Sequence, residues 1–213
     1  PNPFKELHIG HLYQNTIGES ISRILEHAGA EVKRADYFGD VGMHVAKSIW
    51  GLIAKMDEEG IDFDELADRD AKARVKFLGE SYAKGATAFK EDEAAAAEIK
   101  GINKQTFIAG QKLLYNPSKL VKENRFDLEP VVDYTQIEVE TKYDQDFIEK
   151  LYRHGRDWSL NYFESIYERL GVKYDFYYPE SAAAEIGYPI VQKGLADGIF
   201  TESDGAVVLD KEK

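Results

Sequence analysis

The apolar positions of this chain fall into helical stripes separated by short alternating runs. Pro1 and Pro3 keep the opening residues irregular, because neither can donate a backbone hydrogen bond. From about His11, Ile17, Ile21, Ile24, Leu25 and Ala28 recur at helical spacing, with Glu19, Ser22, Arg23 and Glu26 between them. That pattern predicts an amphipathic helix, and Gly29 is a natural stop for it. Glu31 to Phe38 alternates as a strand does, and Gly39-Asp40 turns the chain into a second helix striped by Val45, Ile49, Ile53 and Met56.

Further along, 62–115 is rich in alanine and charge and predicts two or three helices, interrupted at Gly79, Gly85, Gly101 and Gly110. Residues 116–143, with Pro117 and Pro130, predict a loop or small appended element, with a short strand within Val131 to Val139. A long helix is expected from Asp144 to Leu170, its buried face marked by Phe147, Leu151, Trp158, Tyr162, Phe163, Ile166, Tyr167 and Leu170, and closed by Gly171. Val172, Tyr174, Phe176 and Tyr178 alternate as a strand that Pro179 stops. A last helix, from about Ser181 to Leu195, carries Pro189 as a candidate break. Asp204-Gly205, between Ile199-Phe200 and Ala206 to Leu209, signals a hairpin. Loop, helix, strand, helix is the order of an α/β unit with a parallel sheet, given one more strand ahead of Pro1.

Composition narrows the function classes. The chain has 213 residues and a net charge of −12, which argues against a simple nucleic-acid sleeve and against DNA as a partner. It has no cysteine, so disulfides, thiolate zinc sites and cysteine nucleophiles are excluded. No apolar run reaches the roughly 18 residues of a membrane span, so no membrane partner is expected. A start at Pro1 and an end at Lys213 read as a piece of a longer protein.

The candidate chemistry sits at the start of the first helix. His8 and His11 lie three apart around Gly10, with Lys5 just upstream. Residues at this spacing share a helix face. A helix start also presents free amide hydrogens and partial positive charge to phosphate. Gly10 leaves room for a flat ring, and Lys5 adds a full charge. The residues alone point to a nucleotide site. The alternatives are an ordinary surface hydrogen-bonding pair or a zinc site, for which no third ligand is evident, so no metal is assigned. Asp40 is expected to cap the second helix. His27, His44 and His154 are read as surface or packing residues, and Trp50 and Trp158 as core.

His8-Ile9-Gly10-His11 is also a literal match to the HIGH signature of class I aminoacyl-tRNA synthetases. Pro1-Asn2, Lys5 and the His-x-Gly-His together resemble the arginyl-tRNA synthetase form of it. Gly18 to Leu25, Tyr37 to Gly42, Phe163 to Tyr178, and Ala196 to Leu209 with its Glu202-Ser203-Asp204-Gly205 resemble further segments of that family, in its order. The stretch from about 85 to 145 matches none. The resemblance implies the first half of a Rossmann-like, HIGH-type nucleotide-binding fold over 1–60. Residues 61–213 would then form a mostly helical insertion with a strand and hairpin, within the same catalytic domain.

It further implies arginine–tRNA ligase activity. ATP would activate L-arginine, accompanied by Mg2+, and the product would load tRNA(Arg) in the cytoplasm. His8, His11 and Lys5 would act on the phosphates, Gly10 would lie under the adenine, and Asn2 would bind arginine. No KMSKS-like loop occurs, and the second half of the nucleotide fold is expected beyond residue 213, so the piece alone is expected not to charge tRNA. Other readings are a different HIGH-bearing synthetase or nucleotidyltransferase, or a binding module that kept the fold and lost catalysis.

Overall fold

A computed structural model describes residues 1–114, 141–203 and 206–209. The described elements run α1 (Ile9–His27), β1 (Ala35–Phe38), α2 (Met43–Glu59), α3 (Phe63–Ala67), α4 (Ala71–Glu91), α5 (Glu93–Leu114), α6 (Gln145–Leu170), β2 (Phe176–Pro179), α7 (Glu180–Ala196), β3 (Phe200–Ser203) and β4 (Ala206–Leu209). β1 and β2 pair in parallel, Ala35 opposite Phe176 and Phe38 opposite Pro179. β3 and β4 form the expected hairpin, with Ser203 opposite Ala206. The expected strand within 131–139 lies outside the described residues, as does the turn at 204–205.

The core lies where α2, α4, α5 and α6 meet. Ile49 and Leu52 of α2, Leu78 of α4, Ile99 and Ile102 of α5 and Leu151 of α6 are all buried there. Removing each such side chain from water contributes about 1.5–3 kcal/mol. α6 starts on Asp144, whose carboxylate accepts from the amides of Asp146 and Phe147, and ends at Gly171 in the left-handed conformation (φ 66°).

Four expectations change. Gly79, Gly85, Gly101 and Gly110 do not interrupt helices; α4 and α5 run straight through them. Gly51 and Gly85 instead let α2 and α4 meet backbone to backbone. A Cβ on Gly85 would stand 1.9 Å from the Lys47 carbonyl oxygen, and one on Gly51 2.0 Å from that of Ser81. Pro189 likewise sits inside an unbroken α7, at the loss of one backbone donor.

The α6 stripe is rotated from the expected one. Phe147 is exposed, whereas Ile148, Tyr152, Arg156 and Ser159 are buried with Leu151, Trp158 and Phe163. A polar Arg and Ser within the hidden face disguised its phase.

α1 is turned the opposite way from its apolar stripe. Ile9, Ile21, Ile24 and Leu25 are exposed, Ile24 by 68%. The polar side faces inward: Glu19 receives the Arg34 guanidinium (2.8 Å), Asn15 accepts from the Tyr174 hydroxyl, and Arg23 donates to the Gly171 carbonyl (2.9 Å). Ion pairs and hydrogen bonds dock this helix, so its phase could not be read from hydrophobic periodicity.

Candidate functional site

Because β1 and β2 are parallel, their carboxyl ends open at the same edge, the edge at which open α/β sheets bind ligands. Asn2 reaches this edge. The Asn2 side-chain oxygen accepts from the Gly39 amide at 2.9 Å, directly after β1. A Cβ on Gly39 would lie 2.7 Å from the Glu180 carboxylate and 3.3 Å from the Asn2 amide. The His44 Nε2 lies 3.0 Å from the Gly39 carbonyl oxygen. Burial holds the His44 imidazole below its ordinary range, and burial together with Asp40 raises the Glu180 carboxyl.

His8 and His11 close the first turn of α1 on each other. His8 is the N-cap, and its Nδ1 accepts from the Gly10 amide (3.1 Å). The His11 Nδ1 accepts from the His8 amide (3.3 Å), and the two rings stack with centroids 3.8 Å apart. This is a capping box in which two imidazoles do the work usually done by a hydroxyl and a carboxylate. A neutral imidazole that accepts at Nδ1 carries its proton on Nε2, so the pair presents two Nε2–H donors. Two amides at the helix start are thereby already satisfied by the imidazoles. Gly10 makes room for this: a Cβ there would meet the His8 ring at 3.0 Å.

Lys5 sits over the Tyr82 ring of α4, 4.6 Å from its centroid. Burial, then the charges of His8, the N-terminal amine and Lys5, lower the His11 pKa from 6.5. His11 is therefore neutral at pH 7. An imidazole 1H–15N titration is expected to show the His11 midpoint below 6.5, recovering only partly in His8→Asn, because burial remains. A midpoint above 6.5 would refute a neutral His11. The stability sign follows. The unfolded chain takes up the His11 proton first, so its contribution is fully present above pH 6.5 and is lost as pH falls from 6.5 through the lowered folded midpoint.

Asp40 departs from expectation. The N-cap of α2 is Gly42, with no side-chain cap bond. Asp40 is fully buried, and its carboxylate accepts from Arg156 Nε (3.0 Å), the Ser181 hydroxyl (2.8 Å) and the Ser181 amide (2.9 Å). It ties the loop after β1 to α6 and to the first turn of α7. Arg156 on the buried face of α6 and Ser181 at the start of α7 were the available sequence signals for this network. His154 packs near Phe63, with ring centroids 5.1 Å apart; Trp158 is buried and Trp50 half-buried.

Asn2 thus touches the loop after β1, and Lys5, His8, Gly10 and His11 follow it in the same short segment. The family model for "tRNA synthetases class I (R), catalytic domain" matches residues 1–213, the whole chain. The chain belongs to this family of class I tRNA synthetases. Among similar proteins, the arginine–tRNA ligase of Amoebophilus asiaticus is 29% identical over 216 residues, covering 99% of this chain and 31% of that protein. That of Borreliella burgdorferi is 29% identical over 211 residues, covering 99% and 29%. That of Porphyromonas gingivalis is 27% identical over 219 residues, covering 100% and 32%. This synthetase chain therefore spans just under a third of its curated relatives. Among its described residues, no helix is long and apolar enough to cross a membrane.

Proposed function

We propose that this chain is the ATP-site portion of an arginine–tRNA ligase, carrying the first half of the Rossmann-like nucleotide fold over 1–60 and a mostly helical insertion with a hairpin over 61–213. One observation carries the reading. The paired Nε2–H donors of His8 and His11 lie in one segment with an asparagine tethered at the carboxyl end of a parallel strand, in a chain matched throughout by the class I (R) family.

In this reading the arginine carboxylate attacks the α-phosphorus of ATP, pyrophosphate leaves, and the activated arginine passes to the terminal adenosine of tRNA(Arg) in the cytoplasm. Such displacements depend on positioning and on donors aimed at developing charge. His8 and His11 donate from Nε2 to phosphate oxygens. Lys5, on its Tyr82 platform, neutralises phosphate charge. Gly10 packs under the adenine, and Asn2 holds arginine. Among the described residues no group of three or more His, Asp or Glu could hold an ion unaided, so Mg2+ would come held by the phosphate oxygens.

The full-length protein, with tRNA present, is expected to exchange labelled pyrophosphate into ATP with arginine and not with cysteine or glutamate. Exchange driven by another amino acid would overturn the assignment. The 213-residue chain alone is expected to give no sustained arginyl-tRNA.

A further inference from the structure

We infer that Phe4 is a positioning residue for this site, seated in a slot on α6 that fixes where Asn2 and Lys5 stand; the inference rests on the nucleotide-site reading above. Phe4 is the single non-glycine residue with positive φ among the described residues (65°). A left-handed backbone at a bulky side chain is strained, and such strain persists only where the surroundings enforce it. The enforcing contacts are visible. The ring is fully buried and stacks with Tyr152, centroids 6.2 Å apart. Gly155 opens the slot: a Cβ there would fall 2.3 Å from Phe4 Cε1. The Phe4 amide donates to the Ser159 hydroxyl oxygen (3.0 Å), which donates in turn to the Gly155 carbonyl (2.7 Å).

The neighbours of Phe4 give this seat a function. Two residues before it, Asn2 is held at the end of β1; the next residue, Lys5, is held over Tyr82 of α4. The same two turns of α6 supply Arg156, which grips Asp40 next to Gly39. Tyr152, Gly155, Arg156 and Ser159 thus set both the signature segment and the strand-end loop that Asn2 touches. None of them needs to contact substrate. Misplacing bound groups by about 1 Å can cost on the order of a hundredfold in rate.

The test uses the full-length protein, with KM for ATP and for arginine, kcat and melting temperature measured for each variant. Gly155→Ala, which presses on the ring, is expected to raise KM for ATP on the order of tenfold or more, within that bound. Adding Phe4→Leu, which shortens the ring back out of the way, is expected to recover most of that loss. Unchanged KM values in folded Gly155→Ala, with kcat falling only as the active fraction falls, would overturn the inference. So would failure of the double variant to recover KM. If Gly155→Ala does not fold, Ser159→Ala, which removes the acceptor for the Phe4 amide, decides by the same criterion. His8→Asn is the control for the underlying reading. If it leaves KM for ATP unchanged, the nucleotide site itself is misassigned; if it raises KM while the Gly155 and Ser159 variants do not, only the role of Phe4 falls.

Discussion

Replacing Asp40 by Ala is expected to release the first turn of α7 and the loop after β1 together, at a cost of about 3–5 kcal/mol, the range for removing one partner of a buried ion pair. Asp40 and Arg156 are both essentially inaccessible, at 0% and 2% exposure, and their contact is 3.0 Å. The change takes a carboxylate away from a buried guanidinium and from two donors on Ser181. Hydrogen exchange reads the effect where it arises. The Ser181 amide is expected to exchange between about a hundredfold and a few thousandfold faster, at roughly 1.4 kcal/mol per tenfold. Asp40→Asn keeps the shape and part of the bonding and is expected to cost less. Arg156→Met combined with Asp40→Asn is expected to cost less than the two single changes summed, because both changes remove the same shared contact. Exchange at Ser181 unaltered in Asp40→Ala would mean the network holds nothing in place.

Gly85→Ala is the second large effect. Overpacking usually costs about 1–3 kcal/mol because side chains can shift. Here the obstruction is the Lys47 backbone carbonyl, 1.9 Å from the new methyl group, and only separation of α2 from α4 relieves it. A cost of about 3 kcal/mol or more is expected, seen as a lower denaturation midpoint in urea. Two controls share the chemistry. Gly79→Ala meets the Glu6 side chain, which can swing away, and is expected to be mild. Gly18→Ala has nothing within 4 Å and is expected to stabilise α1 by about 0.5–1 kcal/mol through helix propensity. Equal effects at Gly85 and Gly18 would rule out the backbone-to-backbone crossing.

These two cases also mark what sequence could and could not tell. The elements at α1, α2, α6, α7 and the hairpin were legible because each repeats at its own period and ends on a recognisable residue, such as Gly171. The site segment was legible because Asn2, Lys5, His8, Gly10 and His11 are close in sequence, so spacing alone put the histidines on one turn. What depends on long-range contact was not legible. Asp40 reads locally as a cap and is instead gripped from residues 156 and 181. Gly85 reads as a helix break and is instead the point where another helix touches. The stripe on α1 reads as a core face, yet Glu19 and Asn15 dock the helix through its polar side. Phe4 reads as one apolar residue among prolines; its left-handed backbone and its slot on α6 come from packing across 155 positions of sequence.

In the proposed site the Nε2–H groups of His8 and His11 bind the phosphates of a nucleotide. Asparagine isolates that role, since its side-chain oxygen can still accept from the helix-start amides as Nδ1 does, while the Nε2 donor is gone. The decisive measurement is ATP titration of the full-length protein by calorimetry, wild type against His8→Asn/His11→Asn. The prediction is binding in the wild type and a loss of at least about a hundredfold in the variant at unchanged melting temperature, because two hydrogen bonds to a charged group at about 1.5–3 kcal/mol each together exceed the roughly 1.4 kcal/mol per tenfold by a factor of two or more. Equal ATP affinity in both proteins would contradict it.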